Sequence, residues 1–179
     1  RAEIIWEKGT NRSSFFRGEV DKYGWVDLGS SLLPAETIAA FLWAQIENLD
    51  LIQSRRKKIW ETYYNALGET FKIANIKMPV VPIFATNNGH MFYIVTNSLE
   101  ERTALLAFLK QNNILAVFHY LSLHKSPFYT ENYTKFALVE LPLTDHYSDT
   151  LIRLPFYFDL SDTEIEYIIN IIKTFYTIK

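Results

Sequence analysis

MFYIVTNSLEERTALLAFLKQNNILAVFHY, residues 91–120, carries the change of pattern that decides the fold. Met91-Phe92-Tyr93-Ile94-Val95 is an apolar, aromatic and β-branched run that reads as a strand. Ser98 followed by Glu101 has the spacing of a capping box, and it predicts a helix whose buried side is Leu105, Leu106 and Leu109. Ile114 to Phe118 then reads as a second strand, directly ahead of His119, Tyr120 and His124. An imidazole or phenol at a strand end can hydrogen-bond a ligand oxygen. The competing reading is two surface histidines flanking a loop.

Downstream, residues 122–143 read as loop, with local packing expected at Phe136-Ala137-Leu138-Val139. A short helix around 145–151 precedes a strand at Ile152-Arg153-Leu154, which Pro155 ends. Ser161 with Glu164 forms a second capping box, and Ile165, Ile168, Ile169, Ile172 and Tyr176 share one face of a terminal helix. Upstream, Pro34 opens a helical pattern through Ile38, Leu42, Ile46, Leu49, Ile52, Ile59, Tyr63 and Leu67, with Gly68 as its closing signal. A helix over 34–68 would run roughly 50 Å and bridges two bodies more naturally than it serves one. Its basic run Arg55-Arg56-Lys57-Lys58 reads as a solvated face, a phosphate site being the lesser alternative. The order predicts an α+β layer domain, a small sheet covered by helices, following a long connecting helix.

The first residues, Ala2 to Lys8, look like the closing turns of a helix stopped by Gly9, so the chain reads as a fragment of a longer protein. Residues 9–31 form a polar stretch without periodicity, threaded by Phe15, Phe16, Tyr23 and Trp25. Such a loop either binds something or is stapled to its own domain by those rings. The expected organisation is thus 1–33, 34–68 as the bridging helix, and 69–179 as a small α+β domain.

Composition narrows the function. Of 179 residues, 49% are hydrophobic, with 13 Phe, 11 Tyr and 4 Trp, enough for a substantial core. The net charge of −2 gives no basic field for nucleic acid. Absence of cysteine excludes disulfides and thiolate metal sites. No metal is expected, because His119 and His124 stand five apart and no His-Glu-x-x-His pattern occurs. No apolar run approaches the roughly 20 residues that span a bilayer, and no signal peptide opens the chain. The reading is a soluble, cytoplasmic protein.

Several segments agree on one family. Glu7-Lys8-Gly9-Thr10-Asn11-Arg12, Gly29-Ser30-Ser31 ahead of Ala39-Ala40-Phe41-Leu42-Trp43-Ala44-Gln45, Asn88-Gly89-His90-Met91-Phe92-Tyr93-Ile94, Phe118-His119-Tyr120 with Leu123-His124, and Arg153-Leu154-Pro155 before Leu160-Ser161 run in order along the chain. It resembles the C-terminal part of the sugar nucleotide aminotransferases of the DegT/DnrJ/EryC1/StrS group, closest to the branch that makes dTDP-4-amino-4,6-dideoxygalactose. The resemblance implies the small domain of an aspartate aminotransferase-like (type I) enzyme, α/β overall, in which residues 1–33 close the large-domain region. It implies pyridoxal 5'-phosphate as cofactor, a homodimer, a dTDP-sugar and an amino-acid donor as substrates, and no membrane or nucleic-acid partner. Transfer of an amino group from glutamate to C4 of a dTDP-4-keto-6-deoxy sugar would serve surface polysaccharide such as lipopolysaccharide or enterobacterial common antigen. A sugar aminotransferase with another nucleotide-sugar substrate, or a binding or dimerising module without catalysis, is the alternative.

The resemblance also assigns residues. Ser30 and Ser31 match the turn that reaches the cofactor phosphate across the dimer, the alternative being that they only cap the next helix. His119, Tyr120 and His124 match the substrate side, hydrogen-bonding sugar or diphosphate oxygens without moving a proton. Asn11 and Arg12 join that pocket, with an inter-loop salt bridge as the competing role for Arg12. The Schiff-base lysine falls upstream in the family; Lys8 lies in the wrong motif. No catalytic residue is therefore expected here, and the chain alone is expected to be inactive.

Overall fold

The computed structural model describes residues 1–31, 33–133 and 140–178. The chain divides into two compact units, Arg1–Leu49 and Asp50–Lys179. The first holds α1 (Ala2–Trp6), α2 (Arg12–Phe16) and α3 (Glu36–Glu47). The second runs α4 (Leu49–Ile73), β1 (Tyr93–Val95), α5 (Leu99–Gln111), β2 (Val117–Phe118), a 3-10 turn (Leu123–Lys125), α6 (Pro127–Asn132), α7 (Pro142–Thr150), β3 (Leu151–Arg153) and α8 (Asp162–Ile178). The segment Phe136–Val139 lies outside the described residues.

The expected helix over 34–68 is two helices. Asn48 ends α3, its amide donating to Gln45 at 3.1 Å and its side-chain Nδ2 to the Ala44 carbonyl at 3.0 Å. Those bonds satisfy carbonyls that the next turn of a continuous helix would have claimed. In turn α4 passes straight through Gly68 to Ile73. Its stop is Asn75, in the left-handed region at φ +58, after which the Ile76 amide returns to Phe71 at 2.8 Å. Asparagine tolerates that conformation nearly as glycine does, so Asn75 closes α4.

In the second unit β3 is central, with β1 and β2 antiparallel to it on either side. The two outer strands are therefore parallel to each other and joined through α5, a split β-α-β arrangement. Ile94 pairs with Ile152, and both are fully buried. Against them α4 presents Ile59, Trp60, Tyr63, Leu67 and Phe71, α5 presents Leu105 and Leu109, and α8 presents Ile165, Ile168, Ile169 and Ile172. The spacings of three and four put each set on one helix face, so one core serves three helices and one side of the sheet.

One capping box forms as expected and the other forms with its carboxylate shifted by one residue. Ser161 and Glu164 satisfy each other's amides at 3.2 and 2.8 Å. Ser98 accepts from the Glu101 amide at 3.2 Å, while Glu101 reaches one residue further back, to the Asn97 amide at 2.8 Å.

The basic run is only partly the solvated face expected: Lys57 and Lys58 are exposed, while Arg55 and Arg56 are half-buried. Arg55 and Lys58 both hold Asp162, at 2.5 and 2.7 Å, and Arg55 also donates to the Leu160 carbonyl. Arg56 donates to the carbonyls of Gly89 and His90 and lies 4.9 Å from the Phe156 ring. One helix turn thereby fastens the entry of α8 and the connection leading into β1. Sequence alone does not show that the two acceptor sets return to this turn from 34 and 107 positions away.

In the first unit residues 9–31 are organised about Gly9. Its carbonyl accepts from Val26 and Asp27 at 2.8 and 3.1 Å, Thr10 bridges Trp25, and Asn11 Oδ1 accepts from the Gly24 amide at 2.8 Å. A Cβ on Gly9 would sit 2.0 Å from the Asp27 carbonyl oxygen, and φ is +84. Short turns of this kind have no period for a pattern to reveal.

Two outcomes follow from these contacts. Lys58, then Arg55, holds the Asp162 carboxyl down at about 2 against its ordinary 3.8. With the folded value the lower one, its contribution is complete above that ordinary value and is lost as pH falls through about 2. Urea melts between pH 5 and 2 therefore show a steeper loss for the wild type than for Asp162→Asn; parallel losses would remove Asp162 from the fastening. Gly9→Ala, strained and overlapping backbone, is expected to cost about 1–3 kcal/mol in the first unit. Limited proteolysis reads it as faster cleavage within residues 9–31, and an unchanged rate would contradict the Gly9-centred packing.

Candidate functional site

Where β2 ends, the chain turns through His119 to Lys125 and lies along α7. Four groups anchor it. Ser148 Oγ donates to the Tyr120 carbonyl at 3.3 Å, and Arg102 from α5 donates to the Ser148 carbonyl at 2.9 Å while standing 5.7 Å over the Phe118 ring. Arg153 reaches the Phe118 carbonyl at 3.4 Å. Asp145, in the first turn of α7 where a carboxylate meets the helix dipole favourably, takes Lys125 Nζ at 2.7 Å and faces His124 Nε2 at 3.3 Å.

This loop lines a cavity of about 610 Å³ with His119, Tyr120, Ser122 and His124, and Tyr129, Thr144, Tyr147 and Ser148 line it as well. The surroundings are mostly aromatic and aliphatic, with a few convergent polar atoms, the usual makeup of a small-molecule site. Tyr120 is 79% exposed, whereas the His124 side chain is only 11% exposed. Four buried polar atoms at this place lack an aligned hydrogen-bond partner among the described residues: His119 Nδ1, Ser122 Oγ, His124 Nε2 and Asp145 Oδ1. The last three are near one another, since the Ser122 hydroxyl and the His124 imidazole both approach the Asp145 carboxylate off line. Lys125 first of all keeps that carboxyl below its usual range. Buried polar atoms left unmatched carry a free-energy cost, and their concentration at one loop marks the place where a ligand or water has most to offer.

His119, Tyr120 and His124 are thus brought together. Asn11, Arg12, Ser30 and Ser31 belong to the first unit. There Asn11 is committed to the Gly24 amide, and the guanidinium of Arg12 sits 5.3 Å over the Phe16 ring beside a hollow of about 310 Å³ lined also by Trp6, Glu7, Lys8 and Tyr23. The contact of Arg12 among the described residues is therefore this ring, a cation–π arrangement in place of the inter-loop salt bridge. Ser30 uses its amide on the Ile5 carbonyl at 3.0 Å, and Ser31 is exposed. Neither serine caps α3, whose N-cap is Ala35. Pro34 forces its predecessor away from helical geometry, so the helix begins after it and leaves the serines in the preceding turn.

Asp145 and Ser122 are the site residues that sequence reasoning misses. Asp145 reads there only as the start of a helix, and its two partners lie some 20 positions earlier. His90, a motif residue, pairs through Nδ1 with Asn88 Oδ1 at 3.2 Å and stays on the connection. No helix among the described residues is long and apolar enough to cross a membrane.

Known structures share this fold. The sugar aminotransferase CalS13 from Micromonospora echinospora superposes with a TM-score of 0.77 at 17% identity, over 96% of this chain and 43% of that one. The PLP form of Spr1654 from Streptococcus pneumoniae does so at 0.73 and 22%, over 98% and 42%. A DegT DnrJ EryC1 StrS aminotransferase from Brucella abortus does so at 0.71 and 25%, over 92% and 42%. The chain thus spans somewhat under half the length of these solved proteins. The model of the DegT/DnrJ/EryC1/StrS aminotransferase family matches residues 2–173, from α1 into α8 and through every segment on which the resemblance was drawn, and to that family the chain belongs.

Proposed function

We propose that this chain is the C-terminal portion of a pyridoxal 5'-phosphate-dependent aminotransferase that moves an amino group, from glutamate, to C4 of a dTDP-4-keto-6-deoxy sugar. The product would enter surface polysaccharide, and the working form would be a cytoplasmic homodimer. The observation that carries the reading is the family match over residues 2–173 together with the histidine- and tyrosine-lined cavity beside β2.

Pyridoxal phosphate, when bound, supplies the electron sink for amino transfer. The residues present fit one part of that need. Ser31 is exposed and the Ser30 hydroxyl makes no hydrogen bond among the described residues, so two hydroxyls stand free to donate to an anion. None of the described lysines is buried, and Lys125 is engaged with Asp145. A carbonyl-binding lysine is activated by desolvation or a neighbouring cation, which supports a reactive amine supplied by a preceding segment of the parent protein. On the sugar side His119, Tyr120 and His124 bind and orient. In favour of a partner surface, α3 carries Phe41 and Trp43 at 71% and 64% exposure with no buried residue of its own.

Expression of the parent enzyme beside the isolated chain tests this. The parent is expected to bind the cofactor, seen by visible absorbance, and to aminate a dTDP-4-keto sugar in preference to a UDP sugar; the isolated chain is expected to do neither. His119→Ala in the parent should weaken sugar binding by about 2- to 10-fold, one net hydrogen bond, with kcat little changed. Tight nucleotide-sugar binding by the isolated chain, without cofactor, would instead support a binding module.

A further inference from the structure

Asp145 is assigned no role by the reading above, yet three separate features converge on it. Its Oδ1 is buried and has no aligned partner among the described residues, and His124 Nε2, buried in the same way, faces it at 3.3 Å. Its other oxygen, Oδ2, is already matched by the Lys125 ammonium at 2.7 Å, so the carboxylate has its counter-charge. The remaining imidazole nitrogen, His124 Nδ1, makes no hydrogen bond among the described residues, and the residue lines the cavity of about 610 Å³.

We infer that Asp145 is a positioning residue that holds His124 as the Nε2–H tautomer and so presents Nδ1 to the cavity as a hydrogen-bond acceptor. The approach of 3.3 Å is close but off line for a hydrogen bond; a carboxylate oxygen can only accept, so its charge favours the proton on the nitrogen that faces it. In a neutral imidazole the other nitrogen then has the lone pair. Lys125 matters because it satisfies the charge of Asp145 without competing for Oδ1. Charged groups facing the pair come from α7 itself, through Asp149, and from the segment entering α7, through Glu140; both act on Lys125 and neither bonds the imidazole. The consequence is chemical selectivity. An acceptor at this point of the wall favours a ligand hydroxyl or amine and disfavours a phosphoryl oxygen, which has no proton to give. For His124, then, sugar hydroxyl and diphosphate are separated. That the hydroxyl belongs to a nucleotide sugar rests on the proposed function; the tautomer does not.

The test is nitrogen-15 NMR of the imidazoles in the full 179-residue chain without ligand, His124 being identified by His124→Gln. The expected spectrum has His124 Nδ1 at an unprotonated shift and Nε2 at a protonated one. Asp145→Ala should bring both nitrogens toward averaged shifts, while Lys125→Gln should leave the assignment as in the wild type. The fold of Asp145→Ala is checked by the same spectrum away from the loop, a change that a purely structural residue would spread over the unit. A wild-type Nδ1–H tautomer, a doubly protonated ring at neutral pH, or an unaltered tautomer in Asp145→Ala overturns the inference. None of these depends on turnover, so failure of the substrate reading and failure of this one are told apart.

Discussion

Burial of one face of α4 is the constraint on which the second unit rests. Ile59, Tyr63, Leu67 and Phe71 recur every four residues and all are fully removed from water. Each such side chain contributes about 1.5–3 kcal/mol on transfer from water, so this stripe outweighs any single polar contact in the unit. Tyr63 shows the same economy at one residue: its ring packs on Phe92, with centroids 5.3 Å apart, and its hydroxyl donates to the Pro155 carbonyl at 3.1 Å. Burial pushes its phenol well above the ordinary range, which keeps it a donor. Because Pro155 lies two residues beyond the end of β3, that hydrogen bond also ties the exit of the central strand to α4.

The candidate site inherits its rigidity from this core at one remove. Its loop has few apolar contacts of its own, with Tyr120, Leu121 and Leu123 largely exposed. Shape is imposed instead by Arg102, Arg153, Ser148 and Asp145, all on elements that contact the core or one another. Arg102 is placed by α5, whose Leu105 and Leu109 are fully buried; one turn of helix separates core from loop. Recognition groups held by short polar ties from a packed scaffold are a common way of combining precision with access.

Much of this was legible in the sequence wherever a local rule operates. The Ser161–Glu164 capping box, the Ser98 cap, a strand ending at Val95 and the helix face of α8 depend on residues within four positions of each other. The break at Asn48 and the continuation through Gly68 were not legible, because asparagine and glycine each permit two outcomes and neighbours choose between them. The sheet order β1-β3-β2 was also hidden, since pairing across α5 and α7 is a tertiary matter. Of the site, the histidines and tyrosine were visible by position, but Asp145 was not, because it reaches His124 and Lys125 only through the fold.

The disposition of charge argues for what these residues contribute to the parent enzyme. Several cations of the described chain are committed to holding structure: Arg17 to Glu3 and Glu19, Arg55 and Lys58 to Asp162, Arg56 to two carbonyls, and Lys125 to Asp145. What faces the cavity is hydroxyl and imidazole. Groups of that kind bind by direction and do not supply the nucleophile that a transfer reaction needs. On the proposed function, a wall of fixed donors and acceptors would decide which substrate hydroxyls are met and which isomer fits, because each unmatched buried partner discriminates strongly. On the proposed function, specificity is the part of the chemistry that this chain would hold, and the Asp145–His124 contact is where the inferred tautomer would give that specificity its sign.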